Sequence, residues 1–147
     1  MRRMHPLPHR YRVSAQALGI EPVALESPGL AAIASDGPKE FDGRGDLWSP
    51  ETLLCAAVAD CYVLSFRAVA AAARFAWTRV TAQVDGTLDR VDRNMQFTAF
   101  SLQASLLVPV GADLERARKL LEKAEQICLI SNSLKAPVTL HIEVQTE

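Results

Sequence analysis

The spacing of apolar residues changes along this chain, and the changes predict the order of its elements. Period-two alternation and short β-branched runs predict six strands, at 9–18, 23–26, 30–34, 80–88, 95–108 and 138–144. Residues 35–46 hold three glycines and a proline and are predicted to form a loop. The strands at 80–88 and 95–108 are joined by the turn sequence VDRN, which predicts a long hairpin.

A long helix is predicted to follow the loop. Ser49 is a good N-cap, Pro50 suits the first helical position, and Glu51 complements the helix dipole in the first turn. The segment then runs to about Arg74, is rich in alanine and leucine, and is apolar around most of its circumference. Such a helix is expected to be buried near the centre of the protein.

A second helix is predicted to begin after Asp113, a favourable N-cap. Its buried seam is expected to comprise Leu114, Ala117, Leu121, Ala124 and Cys128. The order of strands, long helix, hairpin, helix and strand predicts an α+β fold, with helices packed on a mainly antiparallel sheet. The 147 residues fit a single domain, 1–147.

Composition narrows the classes of function. A net charge of −1 provides no basic field for binding nucleic acid. The early arginines, Arg2 and Arg3, precede no apolar stretch of the kind that a signal peptide needs. Asp60, Arg67 and Arg74 interrupt the most apolar segment at intervals of seven, which favours a solvated helix edge over a membrane span. A cytoplasmic location is therefore expected.

The three cysteines are the candidate chemical groups. An odd number without a secretion signal does not indicate a structural disulfide framework. Cys55 lies among apolar neighbours and fits a small core residue. Cys61 follows Asp60 and precedes Arg67 by six residues, but a reactive thiolate in mid-helix needs a cation from elsewhere in the fold. Cys128 is expected on the inward side of its helix.

The sequence gives little support to a zinc site or to a cysteine hydrolase. The cysteines are spaced by six and 67 residues, and the sequence has neither CxxC nor HxxxH, so a zinc site is not expected. His5 and His9 lie near one end of the chain, which leaves His141 as the one plausible base for a cysteine hydrolase. That alternative stays open at this point. No glycine-rich phosphate loop or dinucleotide fingerprint is present.

Two motifs together resemble the signatures of the OsmC/Ohr family. The segment 48–70 has a Pro-Glu start, an alanine-rich helix and a cysteine ten residues after the glutamate, which are Glu51 and Cys61 here. The second motif, CLISN at 128–132, follows a helix that ends in cysteine. It departs from the family in having Leu129 where proline is common. The likeness covers roughly residues 45–145.

The resemblance implies an intertwined homodimer with two active sites at the subunit interface. It implies that Cys61 is the peroxidatic cysteine and Cys128 the resolving one. The expected activity is reduction of organic hydroperoxides through a Cys61 sulfenic acid and a Cys61–Cys128 disulfide. An external dithiol, in this family often a dihydrolipoyl group, would reduce the disulfide. No metal, flavin or haem is expected.

The resemblance also implies a carboxylate and an arginine at the site. Glu51 would orient an arginine against the thiolate, and Arg10, Arg12 and Arg44 compete for that role, with Arg12 or Arg44 suiting different subgroups. Ten residues of straight helix span about 15 Å, so Glu51 cannot touch Cys61 of its own helix directly. A second chain or a long bridging side chain must join them, which agrees with an interface site.

Three apolar residues near Cys61 bear on the substrate. Tyr62, Leu64 and Phe66 would suit an alkyl or fatty acid hydroperoxide better than hydrogen peroxide. Two other functions remain compatible with the sequence. One is a non-catalytic dimer of the same fold that binds an apolar ligand, and the other is the cysteine-dependent hydrolase.

Overall fold

A computed structural model describes residues 4–147, so Arg2 and Arg3 lie outside the described residues. Contacts along the chain divide it into two compact units, Met1–Thr52 and Leu53–Glu147. The elements in chain order are β1 (Ser14–Gln16), β2 (Val23–Glu26), β3 (Ile33–Ser35), a 3-10 turn (Lys39–Phe41), α1 (Pro50–Ala72), β4 (Arg79–Val91), β5 (Asn94–Val108), α2 (Leu114–Ile127), α3 (Leu129–Asn132) and β6 (Val138–Thr146).

The first unit contains a small antiparallel sheet in the order β1-β2-β3. β2 occupies the predicted residues, but the strand predicted at 9–18 forms only over Ser14–Gln16, where β2 supplies a partner. Tyr11 and Val13 have no partner strand and are exposed, which is why alternation alone overextended this strand. β3 begins three residues later than predicted because a turn, closed by Leu30 N–H donating to the Ser27 carbonyl, occupies 27–30.

The start of α1 follows from two reciprocal side-chain caps. The Ser49 hydroxyl accepts a hydrogen bond from the Thr52 backbone N–H at 3.1 Å, and the Thr52 hydroxyl accepts one from the Ser49 N–H at 2.8 Å. Two backbone donors that a helix leaves unpaired are thereby satisfied. The predicted N-cap at Ser49 and the helix start at Pro50 are confirmed.

The second unit is built on a three-stranded sheet with β5 in the middle. β4 and β5 form the predicted long antiparallel hairpin, from Arg79 opposite Leu107 to Val91 opposite Asn94, with one irregularity at Thr87/Leu88. β6 pairs with β5 in parallel. The α+β fold class with mainly antiparallel pairing is confirmed.

The core of this unit lies between the sheet and the two long helices. α1 and β5 supply most of the large buried side chains, with α2 completing the layer: Val58, Tyr62, Phe66, Leu102, Leu106, Val108 and Leu121. Asp113 caps α2 as predicted, accepting from the Arg116 N–H at 3.0 Å. The residues predicted to be buried on α2 are buried, except for the first of them, Leu114, which is exposed. Leu120 is buried in addition.

Only one face of α1 is covered by its own chain. The most apolar 18-residue stretch of α1 has a mean hydropathy of 1.7, yet only 28% of it is buried, so a single chain does not provide the central burial expected for this helix. By length and composition alone this helix could cross a membrane, a test that core helices of soluble proteins also pass. Asp60 and Arg67 are exposed, as predicted for a solvated edge. The helix ends at Ala72 because Arg74 adopts a left-handed conformation, with φ of 52°.

Candidate active site

The two cysteines predicted to react lie on different helices of the second unit. Cys61 is half-buried in the middle of α1, and its sulfur lies 4.0 Å from the hydroxyl of Ser65, one turn further along. Cys128 is completely buried at the end of α2, where its ψ of 104° breaks the helix and leads the chain into α3. All three cysteines are free thiols in this structure.

The fold brings Cys61 and Cys128 together across 67 residues of sequence. The Cys61 side chain lies near enough to the Cys128 thiol to raise its pKa. Helix α1 therefore presents Cys61 to the end of α2. This is the juxtaposition that a two-cysteine redox site needs.

Burial and Ser131 shift the pKa of the Cys128 thiol in opposite directions. Burial is the largest effect and raises the pKa of the thiol, because a thiolate is poorly solvated there. The Ser131 hydroxyl donates a hydrogen bond to the Cys128 sulfur at 3.4 Å, and both this hydroxyl and the Ser131 backbone lower the pKa. The net direction is upward, so Cys128 rests as a neutral thiol near pH 7 and needs help to become a nucleophile.

Tyr62 holds the two helices in register at this point. Its ring is buried in the core and its hydroxyl donates to the Leu121 carbonyl of α2 at 3.0 Å. Burial raises the pKa of Tyr62, and the nearby Glu125 and Cys128 raise it further. Because Tyr62 follows Cys61 directly, this bond between α1 and α2 also fixes where Cys61 meets Cys128.

Glu125 was missed by the sequence reasoning. It lies three residues before Cys128, burial raises the pKa of its carboxyl, and the Ser131 hydroxyl partly opposes that rise. Its Oε2 atom is buried and has no hydrogen-bond partner among residues 4–147. The available signal was its position beside Ala124, where a charged residue borders the apolar seam of α2.

Cys55 sits in a different environment, against strand β4. A Cβ atom added to Gly86 would lie 2.8 Å from the Cys55 sulfur and 2.9 Å from the Phe97 ring, so only glycine lets the helix come this close. Burial raises the pKa of the Cys55 thiol, Asp85 adds to the rise, and the Gly86 backbone N–H partly offsets it. These contacts agree with the interpretation of Cys55 as a packing residue.

The predicted carboxylate and arginines belong to the first unit. Glu51 lies in the first turn of α1, and its Oε1 atom is buried without a hydrogen-bond partner in the described part of the chain. Arg44 is exposed and donates two hydrogen bonds of 3.0 Å to Asp46, and these bonds, together with the charge of the carboxylate, raise the pKa of the guanidinium. Arg44 is therefore already paired within its own loop.

Arg12 and Arg10 are placed differently from Arg44. Both are exposed and line an open cleft of about 720 Å³ in the first unit, together with Tyr11. Neither arginine forms a salt bridge with any of residues 4–147. Their guanidinium groups are thus available to an anionic partner, which Arg44 is not.

His141 does not provide the base that a cysteine hydrolase would need. It lies on the exposed face of β6, whereas its neighbours Leu140 and Ile142 turn toward the core. Cys128 is completely buried, whereas His141 is exposed, and the hydrogen bond that the Cys128 sulfur accepts comes from Ser131. Within residues 4–147 there is also no group of three or more His, Cys, Asp or Glu side chains that could hold a metal ion.

The site and the fold together define an α+β protein with two adjacent thiols on packed helices. The family model described as OsmC-like protein matches residues 43–143. Peroxiredoxin OsmC of Escherichia coli is 31% identical over 98 residues, which cover 67% of this chain and 68% of that protein. The chain belongs to the OsmC-like family, and the resemblance noted from its two cysteine motifs is confirmed.

Solved structures show the same fold. An OsmC-like protein of unknown function from Vibrio cholerae has a TM-score of 0.84 at 18% identity, covering 92% of this chain and 99% of its own. An organic hydroperoxide resistance protein from Legionella pneumophila has a TM-score of 0.73 at 24% identity, with 94% and 99% covered. The fold is therefore shared across much of both chains at low sequence identity.

Proposed function

We propose that this protein is a thiol peroxidase that reduces organic hydroperoxides to alcohols. The observation that carries the proposal is the adjacency of Cys61 and Cys128, two free thiols, one in each of the two sequence motifs. The relationship to Peroxiredoxin OsmC of Escherichia coli supports a peroxidase role, and the likeness to organic hydroperoxide resistance proteins in fold agrees with it.

In the first step the Cys61 thiolate attacks the distal oxygen of the peroxide. A sulfur–oxygen bond forms, the oxygen–oxygen bond breaks, and the alkoxide leaves and takes a proton to become the alcohol. Cys61 is oxidised to a sulfenic acid. Its half-buried position admits a small reactant while keeping the sulfenic acid away from bulk thiols.

In the second step the Cys128 sulfur attacks the Cys61 sulfenic acid. The disulfide forms and the hydroxyl group of the sulfenic acid departs as water. An external dithiol, such as a dihydrolipoyl group, then reduces the disulfide by exchange and is itself oxidised. This cycle uses the chain's own sulfur atoms and requires no bound metal or organic cofactor.

Activation of Cys61 is assigned to Arg12 rather than Arg44. A thiolate is favoured by a nearby cation that is not already neutralised, and Arg44 is engaged by Asp46. We infer that Arg12 is the guanidinium and that Glu51, with its unpartnered buried oxygen, orients it. Glu51 is thus a positioning residue in this scheme, since its own charge would oppose a thiolate.

The proposed substrate is an alkyl or fatty acid hydroperoxide. Of the three apolar residues expected to contact it, Tyr62 and Phe66 are buried in the core, and only Leu64 is exposed, at 51%. The preference therefore rests on Leu64 and on the uncovered apolar surface of α1 rather than on all three residues.

We further propose that two copies of this chain form the working, cytoplasmic protein. The most apolar stretch of α1 is only 28% buried by its own chain, and a second copy would bury more of it. Light scattering at micromolar concentration should give the mass of a dimer, about twice 16.1 kDa. A stable monomer under those conditions would contradict this assembly.

Thiol titration tests the proposed activity directly. One equivalent of cumene hydroperoxide should remove two of the three thiols together, because the sulfenic acid condenses with a second cysteine. A non-catalytic, ligand-binding member of the fold would keep all three thiols. A cysteine hydrolase would instead acylate one thiol with an activated ester and form no disulfide.

A further inference from the structure

Ser131 directs its side chain at a sulfur atom rather than at the backbone. A serine in a helix commonly donates its hydroxyl proton to a carbonyl of the preceding turn. Ser133 does so, since its hydroxyl donates to the Leu129 carbonyl at 2.7 Å. The Ser131 hydroxyl instead donates to the Cys128 sulfur at 3.4 Å. The chain thus places a hydrogen-bond donor against one of the two sulfur atoms of the proposed redox pair.

This hydrogen bond is shielded from water. Cys128 is completely buried and Ser131 is buried as well. A neutral thiol is a weak acceptor, whereas a thiolate is charged and forms a stronger hydrogen bond, so the bond stabilises Cys128 most when its sulfur is negative. All three thiols are free in this structure, so the donor already lies at the sulfur in the state that reduction of a disulfide would produce.

The two sulfur atoms of a Cys61–Cys128 disulfide would differ in their access to an external reductant. Cys61 is half-buried, whereas Cys128 is completely buried. A dithiol from solution therefore attacks the Cys61 sulfur, and Cys128 is the leaving group. Burial raises the pKa of the Cys128 thiol and the hydrogen bond from Ser131 lowers it. Because a thiol of lower pKa leaves faster, the Ser131 donor favours this direction of reduction.

We propose that Ser131 is a catalytic residue of the reductive step, in which its hydroxyl stabilises the departing Cys128 thiolate. The dithiol, in its thiolate form, bonds to the Cys61 sulfur as the bond between the two cysteines breaks. The electron pair passes to the Cys128 sulfur, which accepts the Ser131 hydrogen bond. The second sulfur of the dithiol then attacks the first and releases Cys61. The dithiol is oxidised to a disulfide, and the two protons that it loses are regained by the two cysteines through water.

This inference rests on the proposed peroxidase function, so its test makes the disulfide in two ways. In a Cys55→Ser background, diamide oxidises the two remaining thiols without peroxide, and cumene hydroperoxide oxidises them in a parallel sample. Reduction by dihydrolipoamide is followed by acid quenching and alkylation at timed intervals. Glutathione, a monothiol, traps the first intermediate, and peptide mapping should find it on Cys61, with Cys128 free to be alkylated.

Ser131→Ala should slow reduction of the diamide-formed disulfide about three- to tenfold, because a hydrogen bond to a developing negative charge is lost. Ser131→Thr and Ser131→Val provide a pair of nearly the same shape that differs in the hydroxyl. Reduction should be about three- to tenfold faster in the threonine variant than in the valine variant, for the same reason. Ser133→Ala is the matched control, since it removes an exposed hydroxyl that donates to a carbonyl, and it should be reduced at the parent rate.

A titration of Cys128 separates loss of the hydrogen bond from loss of packing. In a background where Cys128 is the one remaining cysteine, its thiolate is followed by ultraviolet absorbance. The thiol should titrate at a higher pH in Ser131→Val than in Ser131→Thr. Tyr62 from α1 and Glu125 from α2 are the other titratable side chains around Cys128 among the described residues, and they are the same in both variants.

Reduction at the parent rate in Ser131→Ala, or at equal rates in Ser131→Thr and Ser131→Val, would overturn the proposal. Glutathione on Cys128 rather than on Cys61 would also overturn it, because Cys128 would not be the leaving group. If hydroperoxide leaves the thiols free while the diamide-formed disulfide shows the hydroxyl effect, the peroxidase function fails and the role of Ser131 stands. A protein in which neither oxidant joins the two cysteines would contradict both.

Discussion

Cys61→Ser is expected to abolish hydroperoxide consumption. The serine hydroxyl remains almost wholly protonated near pH 7 and is a far poorer nucleophile than a thiolate, so the first step has no substitute. Cys128 cannot take over, because it is completely buried and its pKa is raised. Loss of more than about 1,000-fold in the rate of cumene hydroperoxide consumption should be measured, in line with removal of a covalent nucleophile.

The two other cysteines supply the controls for this result. Cys128→Ser should consume one equivalent of hydroperoxide and stop, leaving a sulfenic acid on Cys61 that dimedone traps. Cys55→Ser should keep turnover, since Cys55 packs against Gly86 and takes no part in the chemistry. Loss of turnover in Cys55→Ser with retention in Cys61→Ser would reverse the assignment.

Arg12→Ala is expected to have the second-largest effect. An ordinary thiol has a pKa of about 8.5 and is only a few per cent ionised at neutral pH, so removal of the activating cation should slow peroxide attack about tenfold or more. Alkylation of Cys61 by iodoacetamide should slow at neutral pH and recover at alkaline pH. Glu51→Gln should show a smaller change of the same kind, because it loosens the arginine without removing it.

Arg44→Ala and Glu40→Gln are the matched controls for these two changes. Arg44 is paired with Asp46 and Glu40 is exposed in the 3-10 turn, so neither should alter the alkylation profile of Cys61. An unchanged profile in Arg12→Ala and Glu51→Gln would contradict the activation scheme and leave Glu51 as a residue that complements the helix dipole. Slower alkylation of Cys61 at neutral pH in Arg44→Ala alone would assign the activation of Cys61 to Arg44.

The helix starts and the hairpin could be predicted from sequence because local physics determines them. Ser49 and Asp113 cap their helices through their own side chains, and the hairpin strands alternate because one face packs on the core. The strand at 9–18 was overextended because its length depends on a partner strand rather than on its own alternation. Leu114 was misplaced because the first turn of α2 extends beyond the core.

For the candidate site too, local sequence predicts some features and long-range packing determines the others. Spacing alone could mark Cys61 and Cys128 as candidates, but not their adjacency, since packing between α1 and α2 creates it. The burial of Glu125 Oε2 without a hydrogen-bond partner among the described residues likewise depends on the residues that the fold places around it. Ser131 was visible in the second motif, but its contact with the Cys128 sulfur arises only when the chain turns from α2 into α3.

The central claim is that Cys61 and Cys128 form one redox pair, and peptide mapping of the oxidised protein tests it most directly. The wild-type protein is treated with one equivalent of cumene hydroperoxide, alkylated without reduction, digested and analysed by mass spectrometry. The account predicts a disulfide-linked pair of peptides containing Cys61 and Cys128, with Cys55 recovered in alkylated form. A disulfide that includes Cys55, or three alkylated cysteines after peroxide treatment, would contradict it.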